Sequence, residues 1–418
     1  MIGKLNTQDK RVTVVGAGIS GLLIAYTLKK KGYQVSIHEK SNRCGGLIQT
    51  KHTPYGMAET AAHSLLVNEV VENFVNELGI ELLPVNPKSN ARYIYRDGKM
   101  RKMPLTFAEI LSTLFHVFKK PTLPAPLQTL NLEQWGNAYL GPAATRYLLG
   151  PFTTGIFACS PAELNAKLSF PKLIPSSENV SLFRHLLSSK KQKSKRARIM
   201  VFKNGTEELV QKLQAVLKNE IHLNSEISSV DQIEGNLILS VPSPALENLL
   251  KATTPSFAEK TSTPRYSPLI TITVFYSHDS FDQLPKGIGV LIPAGEGMRI
   301  LGCLFNSSAF SERTKCKNDV SLTVMLGGTK DPDILGFTDS QISGLIADEL
   351  SILLKAKKPP LHLEITRWQR AVPIYSTELS LYIDSLSSSF CSKPGKIIFS
   401  NFTGQVSIRG MIESTHQL

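Results

Sequence analysis

The chain has 418 residues, 42% of them apolar, and 47 basic against 34 acidic side chains give a net charge of +13. Its length exceeds what one core usually supports, so two or three lobes are expected, while no apolar run approaches the roughly 18 residues of a spanning helix. The positive excess suits nucleic acid, an anionic membrane or an anionic substrate, and the absence of a nucleic-acid motif leaves the last two.

The opening MIGKLNTQDK is too polar for a signal peptide and runs straight into a strand. Residues 11–47, RVTVVGAGISGLLIAYTLKKKGYQVSIHEKSNRCGGL, carry the strongest signal. A β-rich run, Val12 to Val15, leads into Gly16-Ala17-Gly18-Ile19-Ser20-Gly21, which fits G-x-G-x-x-G. A helical pattern through Leu22, Ile24, Ala25 and Leu28 stops at Gly32, and a second strand, Gln34 to His38, ends at Glu39. That is the order of a dinucleotide-binding βαβ unit. Gly16 permits the tight turn, Gly18 lets the backbone approach a pyrophosphate, and Gly21 allows close helix–strand packing. The helix N-terminus offers its free N–H groups to phosphate. Glu39 stands at the strand tip, where a carboxylate can accept hydrogen bonds from a ribose. Arg43 and Gly45-Gly46 complete E-x-x-x-R-x-G-G, a second phosphate-contacting turn that favours FAD held as a prosthetic group.

Leu47 to Thr50 reads as a short strand, and Gly56-Met57-Ala58-Glu59 ends in a carboxylate ahead of Ala61-Ala62-His63-Ser64. Residues 69–78 form an amphipathic helix closed by Gly79. Arg92-Tyr93-Ile94-Tyr95-Arg96 followed by Asp97-Gly98 is a hairpin signal. Between 105 and 120, Phe107, Ile110, Leu111, Leu114, Phe115 and Phe118 share one stripe, and Lys119-Lys120 ends it. Such a helix faces a core or lies on a membrane surface with its phenylalanines in the acyl boundary. Prolines between Pro121 and Pro126 break it. The run from 186 to 198 holds six Lys/Arg and reads as a solvated loop or a contact for anionic lipid. Thr206 is a plausible N-cap, with Glu207 and Glu208 in the first helical turn. Further strands are expected at His222–Asn224, Leu237–Pro242, 269–277, 321–327 and Lys396–Asn401, and a helix at 340–354. The five cysteines (Cys44, Cys159, Cys303, Cys316, Cys391) form no C-x-x-C pair, which suits a reducing compartment and argues against zinc or a disulfide framework.

Four later segments narrow the reading. They are Gly155 to Leu164 (GIFACSPAEL) with Ser169-Phe170-Pro171, Leu322 to Gly328 (LTVMLGG), Arg367-Trp368 through Pro373-Ile374-Tyr375, and Gly404 to Ile408. With residues 16–46 they resemble the oxygen-dependent protoporphyrinogen oxidases of haem synthesis, within the FAD-containing amine oxidase superfamily. The resemblance implies an α/β chain, α+β overall. A Rossmann-like FAD domain (8–88, 198–262, 385–418) would join a mixed-sheet substrate domain (89–104, 263–384) and a helical membrane-docking lobe (105–197). Position by position, Gly16 to Gly21, Glu39, Lys40 and the backbone of Ile227 would contact the adenosine side of FAD. Leu47, Ala61, Ala62, His63, Ser64, Val406, Ser407 and Ile408 would contact the isoalloxazine side. Arg92 falls where a substrate propionate is paired, and Phe157 and Met325 would line a flat apolar pocket.

The resemblance departs at Ala61 to Ser64, where the family has G-P-R-[GS], and at Cys159, Ile374 and Glu378-Leu379; the closing helix after Ser407 also looks short. The implied activity is six-electron oxidation of protoporphyrinogen to protoporphyrin with molecular oxygen as acceptor and hydrogen peroxide as by-product. No general base and no metal are implied, since the cofactor carries the redox chemistry. A coproporphyrinogen oxidase, an amine oxidase or polyene desaturase, and a flavin-binding scaffold without turnover are the other readings. The implied setting is a cytoplasmic protein, peripheral on the inner face of the cell membrane, with a homodimer and hand-over to a ferrochelatase as further partners.

Overall fold

The structure is a computed structural model that describes residues 1–175, 177–189, 197–231, 233–251, 263–284, 286–310 and 312–417. The Arg11–Val15 strand pairs in parallel with Gln34–His38 on one side and Asn236–Leu239 on the other. Ile221–His222 and Lys396–Ile398 complete a five-stranded parallel sheet. Asn236–Leu239, between two neighbours, is apolar on both faces, as a strand covered on both sides requires, whereas Gln34–His38 carries Gln34, Ser36 and His38 along one of its faces. Val12, Val14 and Ile238 point into a core with the helices Ile19–Lys30, Glu207–Val216 and Ile408–His416. Leu237, Leu239 and Ile398 point the other way, toward Ser243–Leu250 and Thr377–Ser388.

A second, mixed sheet has seven strands in the order His362–Pro373, Tyr266–Tyr276, Val320–Gly327, Ile300–Leu304, Gly289–Leu291, Arg92–Arg96 and Lys99–Arg101. Strand alternation gives it two unlike faces. Leu322, Val324 and Leu326 pack with Ile342, Ile346 and Leu350 of the Asp339–Leu354 helix. Ser321, Thr323 and Met325 occupy the opposite face. The helices Phe107–Phe118, Leu132–Tyr139, Gly150–Phe157 and Leu182–Ser189 lie between the second and third segments of the parallel sheet.

Several expectations shift. The Leu47–Thr50 stretch is a turn, and its strand runs Thr50–His52 instead, because Gly45 and Gly46 adopt φ +102° and +60°. Thr206 is already helical and gives its hydroxyl to the Ala62 carbonyl (2.8 Å); the Glu59 carboxylate accepts the Thr206 N–H instead (2.9 Å). The His222–Asn224 strand ends at His222, since Asn224 is left-handed at φ +50°. The helix after Ser407 is present and runs nine residues, with Ser407 as its cap. Of the basic run, residues 190–196 lie outside the described residues, while Arg198 opens the Arg198–Phe202 strand and pairs with Glu72 at 2.8 Å.

Candidate functional site

The glycine loop is built as the motif requires. A Cβ at Gly16 would meet the Ser240 carbonyl at 2.6 Å, and one at Gly21 would meet the Gly16 carbonyl at 1.9 Å, so both must be glycine. A Cβ at Gly18 would meet nothing within 4 Å, leaving an open approach beside Ile19 and Ser20 at the start of a helix that no side chain caps. Ala17 N–H donates to Glu39 Oε2 (2.8 Å), while Ser41 N–H and hydroxyl hold Oε1 at 3.0 and 2.8 Å. The carboxylate is thus fixed at the mouth of the loop. Lys40 beside it is exposed, and Ser225 N–H donates to the Glu39 carbonyl (2.9 Å), which brings the partly buried Ile227 segment alongside.

The second turn joins the first. Gly45 N–H donates to the Ala17 carbonyl at 2.9 Å, and Gly18 bridges Gly45. Arg43 clips its own turn: its guanidinium donates to the Cys44, Ile48 and Gly46 carbonyls at 3.1, 3.4 and 2.5 Å. Leu47 is tied in by its carbonyl, which accepts the Thr60 hydroxyl (2.8 Å). Thr60 in turn accepts Trp368 Nε1–H on its carbonyl (2.8 Å). Cradle, Ala61 to Ser64 turn and second sheet are therefore linked by one chain of hydrogen bonds.

His63 Nε2 in that turn is buried without a partner, and burial, with Arg313 nearby, pushes its imidazole down to about 4. Glu59 and Arg313 are buried behind the turn, 3.8 Å apart. Burial raises the carboxyl, which the Thr206 and Thr50 hydrogen bonds oppose, and burial lowers the guanidinium. The open Gly18, the fixed Glu39 and the orphaned His63 nitrogen fit a dinucleotide lying from the glycine loop toward the turn. At the far side, Val406 precedes Ser407, whose hydroxyl accepts Gly410 N–H (3.1 Å), and Ile408 packs in the same core as the glycine-loop helix.

The second sheet presents its open face in register. One row across six strands reads Arg92, Gly289, Leu304, Thr323, Thr273, Glu364, and the next reads Ile94, Leu291, Gly302, Met325, Thr271, Thr366. Arg92 and Met325 thus share a face, and Met325 is the one partly exposed residue of its strand. Lys51 reaches that face from the Thr50–His52 strand and pairs with Glu364 at 2.8 Å. At the other end a Cβ on Gly155 would touch Leu291 at 3.1 Å, so the Gly150–Phe157 helix covers that side. The middle of the face is left as a cleft floor between turn and helix. Phe157 is not in its wall: it is 1% exposed, 5.2 Å from Tyr375 and 6.0 Å from Phe170 in ring separation, because its helix turns Gly155 and not Phe157 to the sheet. Cys159 is enclosed in the same core, with its thiol pushed up to about 12 by burial. Lys51, Glu364 and Trp368 were not predicted as site residues; the signals available for the last two are the alternation His362-Leu363-Glu364-Ile365-Thr366, which marks a strand, and the Arg367-Trp368 pair of the segment noted above.

The family model described as flavin-containing amine oxidoreductase matches residues 19–395. Protoporphyrinogen oxidase 2 of Arabidopsis thaliana is 24% identical over 97% of this chain and 92% of its own length. Coproporphyrinogen III oxidase of Staphylococcus aureus is 22% identical over 88% and 89%. Among solved structures, a candidate protoporphyrinogen oxidase from an Exiguobacterium species superposes with a TM-score of 0.75 at 17% identity, covering 99% of this chain and all of that one. These likenesses bear out the expected α/β oxidase fold.

Proposed function

The chain belongs to the flavin-containing amine oxidoreductases, and from that membership we propose that it oxidises a porphyrinogen to the porphyrin, with protoporphyrinogen IX as substrate. The observation that carries the reading is the uncovered middle of the second sheet's face, where Met325 is partly exposed, with the exposed Arg92 one row away on the same face. The names of the related oxidases support the choice of substrate. FAD, when bound, supplies the electron acceptor, and molecular oxygen the terminal oxidant. The chain's own residues bind and orient. Arg92 holds a propionate by a charge-assisted hydrogen bond. Met325 meets the ring from the sheet, and the Trp368–Thr60 bond holds the sheet against the flavin-side turn. Three rounds of two-electron oxidation complete the aromatic ring.

The docking surface belongs to the same reading. Phe107 and Phe115 are 77% and 64% exposed on the Phe107–Phe118 helix, with the Phe118 ring 4.5 Å from, and tilted 39° to, that of Phe183 of Leu182–Ser189. Leu186 and Leu187 extend this face, and Lys119, Lys120 and Arg184 border it. No helix among the described residues is long and apolar enough to cross a membrane. A two-helix apolar face with a basic rim suits the surface of an anionic bilayer. The test of the activity is an aerobic assay of the FAD-loaded protein following porphyrin fluorescence from protoporphyrinogen. Signal with peroxide release supports the proposal; a flavin-loaded protein that is silent with every porphyrinogen removes it.

A further inference from the structure

Behind the flavin-side turn lies a buried charge that neither the cofactor cradle nor the open face of the second sheet uses. The chain between Ile300–Leu304 and Val320–Gly327 crosses to the parallel-sheet half at Arg313. Glu312 before it is left-handed at φ +65°, a region that side chains seldom occupy. The Arg313 carbonyl accepts Met57 N–H (3.3 Å), and Lys315 N–H donates to the Tyr55 carbonyl (2.8 Å). A Cβ on Gly56 would meet the Arg313 carbonyl at 2.3 Å, so a glycine there lets the two segments close. The Met57–Glu59 strand held in this way leads directly into Thr60 and the Ala61 to Ser64 turn.

The guanidinium points inward, and Arg313 is 6% exposed. Its Nη2 donates to the Phe202 carbonyl (2.6 Å), while Nε is buried without a partner among the described residues. The facing acid, Glu59, stands 3.8 Å from Nη1, too far for a hydrogen bond. Its two oxygens are taken by Thr206 N–H and the Thr50 hydroxyl, each at 2.9 Å. The positive charge is therefore incompletely answered, and it reaches the turn: the guanidinium joins burial in pushing the His63 imidazole down, and the Glu59 carboxylate does not offset it. Arginine keeps its proton in such surroundings. With little water between them, charges in this wall act more strongly than the same charges on the surface.

We infer that Arg313 tunes the flavin: from behind the Ala61 to Ser64 turn its buried charge favours the reduced cofactor, whose ring carries one negative charge after taking up two electrons and one proton. The inference needs the isoalloxazine beside that turn and is independent of which substrate is oxidised.

The experiment brings the FAD-loaded protein to redox equilibrium with a dye of known potential and reads flavin and dye absorbance. It compares the wild type, Arg313→Met, Arg313→Lys and the double variant Glu59→Gln/Arg313→Met. Arg313→Met is expected to shift the oxidised-to-reduced ratio about tenfold toward the oxidised form, which is about 30 mV for a two-electron couple. Arg313→Lys keeps the charge and is expected to stay within about threefold of the wild type. Arg313→Met strands the Glu59 carboxylate in the interior and can cost folding; the double variant removes both charges and should keep a shift of about threefold in the same direction. A merely structural role would lower melting temperature and flavin retention in these variants and leave the ratio alone. A ratio unchanged in Arg313→Met, or in the double variant where the single one does not hold flavin, overturns the inference, as does Arg313→Lys behaving like Arg313→Met. A wild type silent toward every porphyrinogen removes the substrate reading and leaves this measurement standing.

Discussion

Two glycines in one motif do different work, and substitution separates them. Gly21→Ala drives a methyl into the Gly16 carbonyl, 1.9 Å away. The loop itself must then deform, so both thermal stability and flavin retention should fall. Gly18→Ala meets only open space, so the melting temperature of the apoprotein should hold while FAD affinity drops by at least about tenfold, since the methyl occupies the phosphate approach. Titration of apoprotein with FAD, beside melting curves, checks both; equal behaviour of the two variants contradicts the assignment. His63 gives a pH signature. Its folded pKa of about 4 lies below the ~6.5 of an unfolded imidazole. Between those values the unfolded chain binds the extra proton, so stability falls as pH drops through the window, by up to about 3 kcal/mol at pH 4. Glu59, with its carboxyl raised, contributes the opposite slope, so the comparison must be with His63→Gln. That variant should lose less stability than the wild type between pH 6.5 and 4.

At the level of elements, the local signals were strong where one face or one turn decides the structure. Asp97 and Gly98 both take positive φ, +53° and +73°, as a two-residue hairpin turn demands, and the Arg92–Arg101 hairpin follows from that pair alone. The βαβ unit was equally legible, because each glycine has a steric reason in its immediate neighbourhood. The strand His362–Pro373 was not read, because its alternation of Leu363 and Ile365 with Glu364 and Thr366 stops at Arg367, halfway along, and the strand runs on without an apolar face in the sequence. The Phe107–Phe118 stripe was read correctly as a helix but left open as to what it faces; the structure turns it outward, with none of its residues buried. Its start is firm, since Thr106 and Glu109 form a reciprocal capping box, so charge can be placed on the apolar face without unwinding it. Phe107→Asp with Phe115→Asp should abolish flotation with vesicles containing phosphatidylserine while raising the yield of soluble protein. Unchanged flotation would move membrane contact elsewhere.

The site itself was half legible for a reason that belongs to the whole molecule. The glycine loop lies within one stretch of chain, whereas the cleft is assembled from segments that a sequence reader meets hundreds of residues apart: Lys51 with Glu364, Thr60 with Trp368, Glu59 with Arg313. The chain enters the parallel sheet, leaves for the Arg92–Arg101 hairpin, returns, leaves again for residues 266–373, and closes the parallel sheet with Lys396–Ile398. Neither sheet is complete until the other has been crossed, so they should unfold together, although chains of this size often do not unfold in one step. In the FAD-loaded protein, loss of far-UV circular dichroism and release of flavin fluorescence should therefore share one midpoint. Trp368→Phe removes the N–H donor to the Thr60 carbonyl and keeps the ring, at a cost of about 1 kcal/mol. Both midpoints should then move down together. Flavin release well below the dichroism midpoint in the wild type would mean that the cleft opens before the sheets melt, and that the hydrogen bonds across it do not bind the two halves into one cooperative unit.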